Sequence, residues 1–319
     1  MSHSINCAII GAGSIGGLID NPKSLNIASH AHAISIHPDC TLKAVCEPDK
    51  NNEAEFKKRW GNVSSYNGYK ELLEKEIIDL LVIASPTKYH AQTLHEALQN
   101  EQISYILCEK PLVLTSQELR DLKPKLLQSD KKLLINLMRR YDPSFIKIVG
   151  DISLGKFGKP LHFQGVFTKG LLHNGIHMLG VLSHFFGEVQ EIKNIDTRYK
   201  NEDLSGNFYV KFKETAGMLS CVGDATYSIF EIAILFEDAK IEIKDGGAKI
   251  DIFIKKPSSL YEGYYILEYK ETLPNTLQYY ALNSLKFLLQ NDDVTCKMIL
   301  NEHIDLHEKI FETIIEGKR

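Results

Sequence analysis

Ile5-Asn6-Cys7-Ala8-Ile9-Ile10-Gly11-Ala12-Gly13-Ser14-Ile15-Gly16 is the stretch on which the reading of this chain turns. An apolar, β-branched run leads directly into Gly-x-Gly-x-x-Gly. That order describes a buried strand that bends sharply into a helix, with a pyrophosphate against the bend. Gly11 permits the tight turn, Gly13 lets backbone approach the phosphates, and Gly16 lets the helix lie close on the strand. Backbone N–H groups and the positive end of the helix dipole would then face the anion. Gly11, Gly13, Ser14, Ile15 and Gly16 are therefore candidate cofactor-binding residues. The bland alternative is a plain strand–turn–helix corner.

Downstream, Asp20-Asn21-Pro22-Lys23-Ser24 is a turn, and 29–36 is a short helix stopped before Pro38. Residues 41–46 form the second strand, which ends at Glu47-Pro48-Asp49. A carboxylate there accepts hydrogen bonds from both ribose hydroxyls and repels a 2′-phosphate, so Glu47 favours NAD over NADP. Its separation from the glycines exceeds the usual interval of about 20 residues, and the Pro22 loop absorbs the excess. Asp49 also reads as a helix N-cap. A buried strand over 79–84 ends at Ser85-Pro86-Thr87, and His90 opens the next helix. Another strand, 104–108, ends at Glu109-Lys110-Pro111. Polar loops at the carboxyl ends of parallel strands are where ligands bind, which makes Ser85, Pro86, His90, Glu109 and Lys110 candidates for the cofactor site. A lysine desolvated there exchanges a proton near neutral pH. A helix over 115–127, carrying Pro124, and a strand over 133–137 complete an alternating β/α pattern.

From about Arg139 the pattern changes. Asp142-Pro143 caps a helix to about Leu154, and 174–186 reads as an apolar helix broken by Gly175 and Gly180. Thereafter apolar and polar residues alternate with period two, at Phe208, Val210 and Phe212, at Ile241 and Ile243, and at Ile250, Ile252 and Ile254. That is the signature of sheets with one wet face, usually antiparallel. Two helices, 276–289 and 297–316, close the chain. The fold expected is α/β: a doubly wound parallel sheet of Rossmann type over 1–137, then an α+β domain over 138–319 on an open, largely antiparallel sheet.

The length of 319 residues calls for about two domains. A formal net charge of -4 without a basic block argues against nucleic acid as a partner. No apolar run reaches the roughly 18 residues of a membrane helix. Met1-Ser2-His3-Ser4 has neither the charged region nor the apolar region of a secretion signal. The six cysteines form no C-x-x-C pair, so reduced thiols in a cytoplasmic protein are expected, and no metal site.

Gly11-Ala12-Gly13-Ser14-Ile15-Gly16, Glu47-Pro48-Asp49, Ser85-Pro86 with His90, Glu109-Lys110-Pro111 and Arg139-Arg140-Tyr141-Asp142-Pro143, in this order, resemble the Gfo/Idh/MocA oxidoreductase family. The resemblance implies hydride exchange between a nicotinamide dinucleotide and a secondary alcohol or ketone of a sugar, cyclitol or nucleotide-linked sugar. It implies that Lys110 contacts the reacting oxygen beside the nicotinamide. The family's catalytic helix carries Asp-x-x-x-His, and His173-Asn174-Gly175-Ile176-His177 stands at the matching positions. His177 fits the family histidine, whereas His173 replaces the aspartate. Residues four apart share a helix face, so both imidazoles can serve one substrate. The lost aspartate removes a fixed negative charge, which suits an anionic substrate. Arg140, Tyr141 and Asn174 join Lys110, His173 and His177 as candidate substrate-binding residues.

Two readings of function stay open: a sugar dehydrogenase or reductase, and a dinucleotide-binding regulator without catalysis. The open sheet predicts a homodimer or homotetramer, because exposed apolar strands associate.

Overall fold

The computed structural model describes residues 4–200, 203–223 and 225–317. The chain divides into two compact units, Met1–Met138 with Gln278–Ile304, and Arg139–Leu277 with Asp305–Arg319. A single cut near residue 137 thus leaves out a returning segment, 278–304. Long-range side-chain packing recruits that segment, and no local signal announces it.

In the first unit, six parallel strands form one sheet in the order β3-β2-β1-β4-β5-β6. They are β1 (Ile5–Ile10), β2 (Cys40–Cys46), β3 (Ser64–Tyr66), β4 (Leu80–Ile83), β5 (Tyr105–Cys108) and β6 (Lys132–Ile135). The order reverses between β1 and β4, the switch point of a doubly wound sheet, so the loops after these strands open a crevice at its carboxyl edge. Cys7, Ala8 and Ile9 of β1 and all of β4 are buried, which is why both read as continuous apolar runs.

The helices are α1 (His30–Ile36), α2 (Lys50–Trp60), α3 (Tyr69–Lys75), α4 (His90–Gln99) and α5 (Ser116–Gln128). Their starts follow local chemistry. The Ser29 side chain caps α1, Asp49 caps α2, and Thr115 with Glu118 forms a capping box on α5. Pro124 lies inside α5, which continues past it to Gln128. The returning segment adds α8 (Tyr280–Gln290), which packs on α1, β5 and β6. The Lys132 ammonium donates to the Asn291 carbonyl at 2.9 Å and ties its end to β6.

In the second unit, eight strands form a mixed sheet in the order β14-β13-β12-β11-β7-β10-β9-β8. They are β7 (Pro160–Phe167), β8 (Glu191–Lys200), β9 (Leu204–Lys211), β10 (Ala216–Cys221), β11 (Phe230–Phe236), β12 (Ala239–Lys244), β13 (Lys249–Pro257) and β14 (Tyr265–Leu273). Every pairing is antiparallel except β7 with β10. Helices α6 (Pro143–Ser153) and α7 (Ile176–Phe186) pack together, and aromatic contacts such as Phe163 with Phe186 join α7 to the sheet. The last helix, α9 (Asp293–Gly317), starts in the first unit and ends in the second, where Thr313 reaches the Ile192 carbonyl of β8. Arg139 opens this unit with its guanidinium on the Gly246 carbonyl and 3.8 Å from the Phe230 ring centre. No described helix is long and apolar enough to cross a membrane.

Candidate active site

The glycine corner is held by close backbone approach. Gly11 has φ +97°, and a Cβ on it would lie 2.6 Å from the Ser85 amide nitrogen. A Cβ on Gly16 would lie 1.9 Å from the Gly11 carbonyl oxygen. Gly13 faces open space, with nothing within 4 Å of where its Cβ would be. The corner is stitched to both neighbouring strands, Gly11 N–H donating to Cys46 O at 2.9 Å and Ala84 N–H to Ile10 O at 2.8 Å. Gly11 and Gly16 therefore stand where backbone leaves no room for a side chain, and Gly13 stands where space is open.

The helix expected after the corner is absent. One π-helical turn, Ser14–Leu18, stands there instead, with Ser14 exposed and Ile15 half-buried. A dipole summed over one turn is small, so an anion here would rest on individual N–H groups. Long-range contacts replace the missing helix. The Trp60 indole donates to Gly17 O at 2.8 Å, and Arg59 donates to the carbonyls of Leu18 and Asp20. Buried Asp20 accepts from the Ala28 and Ser29 N–H groups and from the Ser29 hydroxyl, and it contacts His32 Nδ1 at 3.1 Å. That knot closes the long loop on the start of α1.

Glu47 and Asp49 each have their own task. Glu47 is 7% exposed, and its Oε2 accepts from Ala12 N–H at 2.8 Å, inside the glycine turn. Its Oε1 accepts from Asp49 N–H at 3.0 Å. Asp49 caps α2 through the N–H groups of Asn51 and Asn52. Each carboxylate oxygen of Glu47 has a second acceptor site for a hydroxyl.

At the ends of β4 and β5 the loops are tied by His90, which is 1% exposed. Its Nε2 lies 2.8 Å from Ser85 O and its Nδ1 3.0 Å from Pro111 O. The sequence placed His90 among ligand-facing residues. The structure places its ring between the Ser85-Pro86 loop and the Lys110-Pro111 step, where the single N–H of a neutral imidazole donates to one of the two carbonyls. Burial pushes its imidazole below the usual range against the pull of those carbonyls. The Lys110–Pro111 peptide is cis, and Lys110 is half-buried.

Glu109 also turns inward. Its Oε1 meets His30 Nε2 at 2.8 Å and accepts from the Asn136 amide at 2.7 Å. Asn136 Oδ1 in turn accepts from the Ser284 hydroxyl at 2.7 Å. Burial would raise the Glu109 carboxyl. The hydrogen bonds and charge of His30, the Asn136 amide and the Lys110 charge outweigh it and hold the group below its usual value. Sequence reasoning missed His30, Asn136 and Ser284 as partners. A histidine on a short apolar helix and an asparagine ending a buried strand were the available signals.

In the second unit, His173 and Asn174 lie in a π-helical turn, Leu171–Gly175, that runs straight into α7, where His177 occupies the first turn. His173 is exposed, while Asn174 and His177 are half-buried. Arg140 and Tyr141, in the turn before α6, are 5% and 2% exposed. Burial first, and then the Arg140 charge, push His184 of α7 down to about 3, so that imidazole is neutral at neutral pH.

Residues 5–137 match the model of a family described as an oxidoreductase family with an NAD-binding Rossmann fold. The inositol 2-dehydrogenase of Rubrobacter xylanophilus is 28% identical over 223 residues, 68% of this chain and 58% of that protein. The chain thus spans little more than half the length of that curated relative. Among solved structures, an oxidoreductase from Desulfitobacterium hafniense aligns over 100% of this chain and 97% of its own, at 14% identity and a TM-score of 0.77. A 3-ketoreductase from Actinomadura kijaniata, in complex with TDP-benzene and NADP, aligns over 99% and 98% at 16% identity and a TM-score of 0.75. At those identities the structures share the fold.

Proposed function

We propose that the chain belongs to the Gfo/Idh/MocA oxidoreductase family, whose model residues 5–137 match, and that it transfers hydride between a nicotinamide dinucleotide and a secondary alcohol or ketone of a sugar, cyclitol or nucleotide-linked sugar. The observation that carries the reading is the crevice edge, where His90 braces the Ser85 loop against the step that bears Lys110. The open space at Gly13 and the Glu47 carboxylate beside Ala12 fit a dinucleotide. A bound nicotinamide supplies the hydride acceptor or donor. Backbone of 11–16 would cradle its pyrophosphate, and Glu47 would take the ribose. Lys110 or His177 would take the hydroxyl proton of the alcohol, and the other group would orient its oxygen. The inositol 2-dehydrogenase likeness supports a polyol substrate.

The test is a panel of cyclitols, sugars and nucleotide sugars assayed by nicotinamide absorbance near about 340 nm. Turnover with a member of the panel supports the reading. Dinucleotide binding without turnover on any member favours the regulator, the alternative kept open by His173 in place of aspartate.

NAD is the expected cofactor. Glu47→Ser is expected to weaken NAD binding about 10-fold and to shift preference towards NADP, since the repelling carboxylate is gone. Equal or tighter NADP binding by the unaltered protein would contradict this.

A homodimer or homotetramer through the second unit's sheet is also proposed. Edge strand β14 exposes both faces, with Tyr265 60%, Ile266 48%, Leu267 44% and Tyr269 54% accessible. Light scattering at about micromolar concentration should give at least a dimer, and a monomer would overturn the proposal.

A further inference from the structure

The turn that carries His173 begins in an unfavourable backbone. Lys169 and Gly170 have φ of 76° and 104°, so two successive residues lie in the left-handed region. For Lys169 that conformation survives only where its surroundings hold it. The turn itself is π-helical, and its N-cap, Gly170, offers no side chain to satisfy the first N–H groups.

Asp203, the residue before β9, supplies what is missing. Its Oδ1 accepts from Leu172 N–H at 2.9 Å and from Leu204 N–H at 2.8 Å. Its Oδ2 accepts from His173 N–H at 2.8 Å. The approach is close enough that a Cβ on Gly170 would lie 2.4 Å from Oδ2. Burial raises the carboxyl's pKa against the pull of those N–H groups. A carboxylate thus stands at the head of the turn after all, reaching its backbone from a distant strand rather than from position 173. A carboxyl group stands beside the His173 backbone although position 173 carries none.

We propose that Asp203 is a positioning residue that locks the π-helical turn and so sets His173 and Asn174 in register with His177. If the turn relaxed to α-helical register, every residue before it would move by one position, about 100° around the axis. His173 would then leave the sector it holds relative to His177. The catalytic part of this proposal rests on the reading of His173 and His177 as substrate-facing groups.

The test uses the full chain with Asp203→Ala, Asp203→Asn and Gly170→Ala. In Asp203→Ala, amide exchange at Leu172 and His173 should accelerate at least about 10-fold, with the His173 and His177 ring resonances displaced and exchange in β1, β4 and β5 unchanged. Turnover should fall about 10-fold to 100-fold, while the NADH dissociation constant stays within about 2-fold. Asp203→Asn should be intermediate, because its one carbonyl oxygen keeps part of the bonding. Gly170→Ala, which leaves the carboxylate in place but displaces it, should reproduce the alanine phenotype.

Unmoved exchange and ring resonances in Asp203→Ala would overturn the proposal. Uniform loss of protection across the second unit would also overturn it, since Asp203 would then be a stability residue only. So would altered exchange with unchanged turnover. If the unaltered protein binds NADH but turns over no alcohol, the hydride-transfer reading fails by itself. The exchange and ring signals still decide whether Asp203 sets the turn.

Discussion

Lys110→Ala is expected to lower turnover at least about 100-fold, roughly 2.7 kcal/mol of transition-state stabilisation, while dinucleotide affinity stays within about 2-fold. The reason is local. Lys110 ends β5, the neighbouring Glu109 is anchored inward by His30 and Asn136, and the Pro111 carbonyl is held by His90. The backbone on both sides of the ammonium is tied, so removing the side chain takes away a proton-handling group without loosening the strand end. Lys110→Arg separates charge from proton exchange, because guanidinium keeps its proton at any working pH. A variant as slow as alanine assigns the proton to Lys110. Recovery to within about 5-fold of the unaltered protein would give Lys110 an electrostatic role and pass the proton to His177. Turnover by Lys110→Ala at half the original rate or better would end the hydride-transfer reading built on this residue.

Gly16→Ala is expected to destabilise the first unit by about 3 kcal/mol or more and to abolish dinucleotide binding. The added methyl would sit 1.9 Å from the Gly11 carbonyl, and backbone at a stitched corner has no room to yield. Gly13→Ala is the informative contrast. Nothing lies within 4 Å of its Cβ position, so stability should change by less than about 0.5 kcal/mol. Dinucleotide affinity should nevertheless fall about 10-fold or more, because the methyl occupies the space proposed for the pyrophosphate. Thermal unfolding and titration with NADH read the two effects separately. A Gly13→Ala protein that binds NADH as tightly as the original would remove the cradle from the proposed site.

How far the site was legible depended on how local its causes were. Asp49 and Asp142 could be read as caps because a cap bonds to N–H groups within three residues. The glycine corner was readable because its steric demands lie within one turn. Asp49 caps α2 as its position after the second strand suggests, whereas the bond from Ala12 N–H to Glu47 joins residues 35 apart in sequence. His90 was misread. A polar residue after Ser85-Pro86 signals a ligand loop, but the Pro111 carbonyl that engages its ring is 21 residues away in sequence. The helix after the glycines was expected because the motif normally opens one. Here Arg59 and Trp60 hold carbonyls that the helix would have satisfied, and Asp20 ties the loop to the start of α1.

By itself the amino-acid order determined the α/β class, the parallel sheet followed by a largely antiparallel one, the glycine turn and the step that bears Lys110. Each depends on periodicity or on steric limits over a few neighbouring residues. Only the tertiary structure decided that 278–304 returns to the first unit, that Glu109 points inward to His30, and that Asp203 caps the His173 turn. Those outcomes depend on which buried donors and acceptors meet across tens to hundreds of residues. Such pairings leave no periodic trace in the chain, because a hydrogen bond requires proximity in space and places no constraint on separation in sequence.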